Sequence, residues 1–243
     1  MNIQFLKRGK DRPGERQDRT YDVLGSDPMF VEQFKNLCSR FEYRIDALNH
    51  KVVAVTSAIA GEGKSVSCVN IARNLASAGR KKVLLVDVDL RKSDLARGLG
   101  IPPVPGLTEY LAGSAGMEEI LRTSVAPGLS VIPGGLRIAS PWEFLAGERF
   151  RGFLKEVRDR YDLVLLDTPP VIPVSDTQAL RDLVDAFIIV CRLGFTPHLL
   201  FKQAMEEIGE KKLLGVVLNG VEPQSERYYQ RYYGNYYKKV QKK

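Results

Sequence analysis

The sequence has few of the features that indicate a secreted, membrane-spanning or metal-cluster protein. Its three cysteines, Cys38, Cys68 and Cys191, are far apart and form no CxxC spacing, which argues against a disulfide framework and predicts reduced thiols. No window approaches the ~18 apolar residues that a membrane span needs, and the basic amino terminus contains no apolar secretion signal. We therefore expect a cytoplasmic protein that a partner recruits to the inner membrane if it works there.

The body of the chain also lacks an excess of positive charge, although the formal net charge of the whole chain is +7. Residues 1–19 have a net charge of +3 and residues 227–243 a net charge of +6, whereas residues 20–226 carry 24 basic and 26 acidic side chains. Nucleic acid bound across the body is therefore not expected. The two basic ends are candidates for contact with an anionic partner.

The order of apolar segments predicts the fold class. Residues 1–27 are polar and are predicted to be a mobile basic arm, and apolar side chains at steps of three and four then predict a helix from about Met29 to Leu48. Helical stretches next alternate with the apolar runs KVVAVTS, KVLLVDVD, LSVIP, YDLVLLDTPP, DAFIIVCRL and KLLGVVLN. This order predicts an α/β domain over residues 28–226, with a doubly wound, mostly parallel sheet flanked by helices. Residues 227–243 are predicted to be a flexible tail.

The segment AVTSAIAGEGKSVSCVNIARNLA predicts a phosphate-binding loop of the P-loop type. An apolar strand ends at Ser57, and Gly63, Lys64 and Ser65 open an amphipathic helix. Glycines let successive N–H groups face one anion, and the helix start adds partial positive charge. A glycine-rich turn without a ligand is the alternative. The predicted nucleotide-binding residues are Gly61, Glu62, Gly63, Lys64, Ser65, Val66 and Asn219.

Three aspartates follow predicted strands and are candidate partners of a nucleotide-bound Mg²⁺. Asp87 and Asp89 lie two apart and are expected to point the same way, at the sheet edge that holds the phosphate loop. Adjacent carboxylates need a nearby cation, although solvated aspartates in a turn are the alternative. Asp167 ends another strand, before Thr-Pro-Pro. The predicted metal ligands are Ser65, Asp89 and Asp167.

Two other polar segments have less definite interpretations. Asp176 is interpreted as the N-cap of the helix TQALRDLV. Arg192, Gly194 and Thr196 follow a predicted strand, and they either begin a helix or border the base of the nucleotide.

Together, AGEGKS, LLVDVDLRK and LVLLDTPP resemble the Walker A, Walker A′ and Walker B motifs of the bacterial tyrosine autokinases of capsule and exopolysaccharide loci. The resemblance implies a P-loop kinase of the Mrp/Min class that uses ATP and Mg²⁺. On this resemblance Lys64, Asp87 and Asp89 are catalytic. Lys64 and Ser65 hold phosphate and Mg²⁺, Asp87 is the base or orienting group for a tyrosine hydroxyl, and Asp89 and Asp167 position Mg²⁺.

The carboxyl-terminal tail holds six of the ten tyrosines among arginines and lysines. A packed helix is disfavoured because Gly234 and Asn235 interrupt it, and an arm that stacks on single-stranded nucleic acid is a second alternative. The resemblance instead implies that neighbouring copies phosphorylate this tail. The predicted phosphoacceptors are Tyr228, Tyr229, Tyr232, Tyr233, Tyr236 and Tyr237.

The resemblance also implies partners: a membrane polysaccharide co-polymerase that activates the kinase, a cognate tyrosine phosphatase, and further copies of the chain, possibly in a ring. The ring pattern Glu-x-x-Arg-x-x-Arg of that family is altered here to Glu32, Lys35 and Cys38, which puts the ring contact in doubt. A positioning ATPase of the Min/Par type is the alternative function. It is disfavoured because Ile59 stands where those proteins have a lysine.

Overall fold

A single sheet of eight strands lies between two layers of helices in the computed structural model, which describes residues 3–7, 28–77, 79, 81–172 and 176–221. In chain order the strands are β1 (Ile3–Lys7), β2 (Val52–Ser57), β3 (Val83–Asp87), β4 (Arg122–Ala126), β5 (Leu129–Ile132), β6 (Leu163–Asp167), β7 (Ala186–Arg192) and β8 (Leu213–Val221). The helices of the described residues are α1 (Pro28–Ala47), α2 (Lys64–Ser77), α3 (Leu95–Leu99), α4 (Leu107–Ala112), α5 (Met117–Ile120), α6 (Trp142–Ala146), α7 (Glu148–Arg160), α8 (Asp176–Leu180) and α9 (His198–Ile208), with a 3₁₀ turn at Glu210–Lys212.

The strand order is β1-β8-β7-β2-β6-β3-β5-β4, and every neighbouring pair is parallel except β4 with β5. From β2 the chain moves outward on one side to β3, and after β6 it crosses to the other side of β2 at β7. The order therefore reverses beside the carboxyl end of β2, which is where ligand sites form in open α/β sheets. The predicted doubly wound, mostly parallel fold is confirmed.

The period-two alternation of strand side chains divides the core between the two helical layers. Val53 and Val55 of β2 pack in the cluster that contains α1 and α2, whereas Val52 and Ala54 pack in the cluster that contains α7. All six residues of β2 are buried, as are all five of β3 and of β6. These strands are continuous apolar runs because helices cover both faces of the sheet.

Helix α1 agrees with the predicted helix from about Met29 to Leu48. Its apolar stripe, Phe34, Leu37, Phe41 and Ile45, is buried in the same cluster as α2. Each such side chain contributes about 1.5–3 kcal/mol when fully buried. Among the described residues, no helix is long and apolar enough to cross a membrane.

The sequence pattern predicted neither of the two edge strands, β1 and β4. β1 lies inside the arm predicted over residues 1–27 and pairs with β8, so residues 3–7 correct the arm prediction. β4 pairs with β5 in the antiparallel direction. An edge strand has one neighbour and needs no continuous apolar run, so its sequence carries little periodicity. The other arm residues, and residues 222–243 with all six predicted phosphoacceptors, lie outside the described residues.

Asp185 joins, through hydrogen bonds, the chain segments that lead into β2 and β7. It lies at the amino-terminal ends of these strands, and the phosphate loop lies at their carboxyl-terminal ends. Its Oδ2 accepts hydrogen bonds from the backbone N–H groups of Lys51, at 2.7 Å, and Val52, at 2.8 Å. Nη1 of Arg158 donates to both carboxylate oxygens, at 3.0 and 2.8 Å. Burial raises the pKa of Asp185, but these hydrogen bonds more than offset it and the net pKa is below its ordinary value.

We expect Asp185→Asn to lower the free energy of unfolding by about 1–3 kcal/mol at pH 7, because the charged acceptor of Arg158 is lost. The folded-state pKa lies below the ordinary 3.8, so the stabilisation is present above that pH and is lost as pH falls through the folded pKa. Urea unfolding should give a constant difference between the two proteins from pH 7 to about pH 5, narrowing below about pH 4. The exposed Asp182→Asn is the control, with an expected change within about 0.5 kcal/mol.

Candidate nucleotide-binding site

The phosphate loop connects β2 to α2 at the point where the strand order reverses. Gly61 and Gly63 have φ angles of +86° and +89°, which side chains other than glycine rarely adopt. A side chain at Gly63 would also collide with the amide of Asn219, at the end of β8. α2 begins at Lys64 directly after the loop, so its unpaired N–H groups face the same side as the loop.

Three aspartates converge on this loop from two neighbouring strands. Asp87 and Asp167 are direct partners in the pairing of β3 with β6, and both strands present them on the face that α2 covers. Nζ of Lys64 lies 3.2 Å from Oδ2 of Asp89 and 3.5 Å from Oδ1 of Asp167. The side chains of Lys64, Asp89 and Asp167 are 13%, 10% and 2% exposed. One ammonium group therefore lies close to two nearly buried carboxylates.

The charges of this cluster shift one another's proton affinities. Burial lowers the pKa of Lys64, but Asp167, Asp89 and Asp87 together raise it above its ordinary value. Burial raises the pKa of Asp167, and Lys64 and a hydrogen bond with Ser65 only partly oppose the rise. A cation at this place is thus favoured strongly.

Asp87 is the most enclosed of the three aspartates. Its Oδ1 accepts from the N–H of Asp89 at 3.1 Å, and its Oδ2 accepts from the hydroxyl of Ser93 at 2.7 Å and the N–H of Leu95 at 3.3 Å. Burial and then the Asp167 carboxylate raise the pKa of Asp87 to about 8. β3 ends at Asp87 and the chain then turns, so Asp89 reaches Lys64 from the loop. Asp87 therefore fixes the turn that carries Asp89.

Asp176 has a larger role than the predicted helix cap. It is the first residue of α8, it is buried, and its two oxygens accept from Nε of Arg91 at 2.6 Å and Nη2 at 3.1 Å. Nη1 of Arg91 donates to the carbonyl of Ala139 at 2.5 Å. Arg91 therefore joins three segments at the carboxyl edge of the sheet: those after β3, β5 and β6. Sequence reasoning missed this pair because its members are 85 residues apart.

The remaining predicted nucleotide-binding residues divide into two groups. Ser65 and Val66 lie in the first turn of α2, half-buried beside the loop. Glu62 is fully buried, and Asn219 donates from Nδ2 to the Glu62 carbonyl at 2.9 Å. Arg192 donates from Nη1 to the carbonyl of Gly61 at 3.3 Å. The last residue of β7 therefore contacts the phosphate loop, and α9 begins only at His198.

The donor set at the loop suits Mg²⁺ that arrives with a nucleotide. Carboxylates and a hydroxyl are the oxygen ligands that Mg²⁺ prefers, and a cation already lies among them in the form of Lys64. Across the described residues, no group of three His, Cys, Asp or Glu side chains is arranged to hold a metal ion by itself. Mg²⁺ sites commonly use one or two carboxylates and complete their coordination with phosphate and water.

Fold and loop define a P-loop nucleotide-binding protein, and comparison with known proteins identifies the family. The model of the AAA domain family matches residues 50–205. Tyrosine-protein kinase YwqD of Bacillus subtilis is 33% identical over 213 residues, which are 87% of this chain and 90% of that relative. The putative tyrosine-protein kinase EpsB of Ralstonia nicotianae is 33% identical over 82% of this chain. The chain belongs to the AAA domain family and, within it, to the bacterial tyrosine-protein kinases.

Solved structures agree with this assignment. The kinase domain of Escherichia coli tyrosine kinase ETK has a TM-score of 0.81 at 25% identity, covering 91% of each chain. The BceF tyrosine kinase domain has a TM-score of 0.76 at 32% identity, covering 84% of each. The chain spans only about a quarter of the length of EpsB, 26%, although it spans most of YwqD.

Lys64→Met should destabilise the nucleotide-free protein by about 2–4 kcal/mol, because the nearly buried Asp89 and Asp167 lose their cation. Combining it with Asp89→Asn should recover part of the loss, since one of the unbalanced charges is then removed. Urea unfolding of the four proteins of this double-mutant cycle measures the coupling.

The control for this cycle is Lys81→Met, which breaks the ion pair between Lys81 and the 56%-exposed side chain of Asp46. Its expected cost is below about 1 kcal/mol. Equal losses from the two lysine changes, or no recovery in the double variant, would contradict the charge balance described for this site.

Proposed function

We propose that the protein is an ATP-dependent protein-tyrosine autokinase that phosphorylates its carboxyl-terminal tyrosine cluster in trans, and that this regulates the synthesis or export of an exopolysaccharide or capsule. The observation that carries the proposal is the placement of Lys64 between Asp89 and Asp167 beside a glycine-rich loop. The kinship with YwqD and EpsB, both named tyrosine-protein kinases, supports it.

In the proposed reaction a tyrosine hydroxyl oxygen forms a bond to the γ-phosphorus of ATP, the bond to the bridging oxygen breaks, ADP leaves, and the hydroxyl proton passes to water. The N–H groups of the loop and of the first turn of α2 hold the phosphates. Lys64 exchanges its carboxylate partners for phosphate oxygens. Ser65, Asp89 and Asp167 would hold Mg²⁺, which supplies positive charge against the phosphates when it is bound.

Asp87 acts in this proposal through Asp89. Its carboxylate holds the N–H of Asp89 and the hydroxyl of Ser93, and so it fixes the turn that presents Asp89 to Lys64. A group that is 1% exposed and is enclosed by three donors is poorly placed to meet the hydroxyl of an incoming tyrosine. We therefore assign Asp87 an orienting role.

The length of the tail permits it to reach a site of this kind. β8 ends at Val221 and lies four strands from β3, a separation of about 19 Å at the usual strand spacing. The seven residues from Val221 to Tyr228 can span up to about 23 Å. A tail of this length can approach its own site or that of a neighbour, and the family resemblance favours the neighbour.

The proposed partners are a membrane polysaccharide co-polymerase as activator and recruiter to the inner membrane, a cognate tyrosine phosphatase, and further copies of the chain. ExoP of Rhizobium meliloti, named a succinoglycan biosynthesis transport protein, supports the polysaccharide context at 32% identity over 78% of this chain.

Two residues of the altered ring pattern differ in exposure. Lys35 is exposed, but Cys38 is 2% exposed and packs in the core. Burial and then Glu42 raise the pKa of its thiol to about 12. A contact between copies would therefore use other residues than Cys38.

Incubation with Mg-ATP followed by intact-mass and peptide mass spectrometry tests the kinase proposal. We expect phosphate on the cluster Tyr228–Tyr237 in the wild type and none on Lys64→Met, because that variant lacks the phosphate-binding ammonium. For the trans reaction, full-length Lys64→Met is mixed with an active chain truncated after Glu226. Phosphate on the Lys64→Met tail is the expected result.

Absence of phosphate from wild type would contradict the proposal if it persists after the cytoplasmic segment of a co-polymerase is added. ATP hydrolysis without tyrosine phosphorylation in both conditions would support a positioning ATPase instead. Phosphate on the wild type but not on the Lys64→Met acceptor would show transfer within one chain.

A further inference from the structure

We propose that Thr196 is a positioning residue for the phosphate loop. Its hydroxyl group holds the buried carboxylate of Glu62, and Glu62 in turn holds the loop in the conformation that binds phosphate. Glu62 and Asn219 are then supports of the loop and not direct ligands of the nucleotide. The inference rests on the proposed nucleotide site and concerns how the chain builds it.

The argument begins with the burial of Glu62. Its side chain is a charged group at 0% exposure inside a loop that is expected to bind an anion. A buried carboxylate is tolerated only when donors satisfy it. Its Oε2 accepts from the backbone N–H of Ile59 at 2.8 Å, and its Oε1 accepts from the hydroxyl of Thr196. One carboxylate therefore joins the start of the loop to the segment after β7.

Thr196 is itself held in place by its own segment. Its hydroxyl oxygen accepts the N–H of Arg192 at 2.9 Å, which closes the turn after β7. Arg192 stacks over the ring of Phe195, with 5.1 Å from its guanidinium carbon to the ring centroid, and donates to the carbonyl of Gly61. The turn thus contacts the loop through a side-chain pair, Thr196 with Glu62, and through a backbone acceptor at Gly61.

β8 provides a second support for the phosphate loop, on the side where β7 lies. Asn219 donates from Nδ2 to the carbonyl of Glu62 at 2.9 Å, and its own carbonyl accepts the N–H of Leu193 at 2.9 Å. Its amide fills the space that a side chain at Gly63 would need. The ends of β7 and β8 therefore hold the outer side of the loop, while the aspartates of β3 and β6 lie on its other side.

Loss of the Thr196 hydroxyl would leave one oxygen of the Glu62 carboxylate without a donor in a buried place. The carboxylate would then turn toward water and release the N–H of Ile59, because desolvating it without a partner is unfavourable. The N–H groups of the loop would no longer converge on one anion. The effect falls on phosphate binding, since the contacts of Thr196 and Glu62 are with each other and with the backbone of the turn after β7 and of the phosphate loop.

Binding of a fluorescent ADP analogue to the full-length chain, together with thermal unfolding, tests this inference. Thr196→Val, which replaces the hydroxyl by a methyl group of similar size, should raise the Kd by about tenfold or more with little change in the Tm of the nucleotide-free protein. Thr196→Ser should restore binding to within about threefold of wild type, because the donor returns. The same exchange at an exposed position of the far edge strand, Thr123→Val, should leave the Kd unchanged.

Two variants of Glu62 separate the effect of its hydrogen bonds from the effect of its charge. They also test the inference if Thr196→Val does not fold. Glu62→Gln keeps an acceptor for Ile59 and a polar partner for Thr196, and should bind within about threefold of wild type. Glu62→Ala should lose about tenfold or more. Wild-type affinity in Thr196→Val, or equal affinities of the two Glu62 variants, would overturn the inference while leaving the proposed function in place. Failure of the wild type to bind the ADP analogue would overturn both.

Discussion

The electrostatic balance between Lys64 and the aspartates is the constraint on which the rest of the site depends. Asp87 and Asp167 lie side by side in the sheet and Asp89 follows closely, so the strand pairing itself forces like charges together. Such a cluster is unfavourable in a buried place unless a cation lies within it. Lys64 meets this need in the nucleotide-free protein, with Nζ 3.2 Å from Asp89 and 3.5 Å from Asp167.

The contacts that support the phosphate loop are of two kinds, and they lie on opposite sides of the loop. On the side of β3 and β6 the contacts are charged, and Arg91 with Asp176 holds the segments that carry them. On the side of β7 and β8 the contacts are hydrogen bonds that shape the loop, through Thr196 and Asn219. The first kind of contact sets the charge around Lys64, whereas the second kind sets the backbone conformation of the loop.

Much of this arrangement could be predicted from the sequence because it depends on local pattern. The apolar runs predicted the six inner strands, and GKS after a strand predicted the loop, since both require only neighbours in the chain. The edge strands β1 and β4 were missed because one-sided pairing imposes no apolar pattern. The pairs Arg91 with Asp176 and Thr196 with Glu62 were missed because they join segments 85 and 134 residues apart.

The phosphate loop alone does not distinguish a kinase from other proteins of this fold. A nucleotide held by the same loop can pass its phosphate to water or to a tyrosine, and the outcome depends on what reaches the γ-phosphate. In this chain the sequence after β8 contains a cluster of six tyrosines. The loop and its charged cluster therefore account for nucleotide binding, and the choice of a tyrosine as acceptor rests on the kinship with the tyrosine-protein kinases.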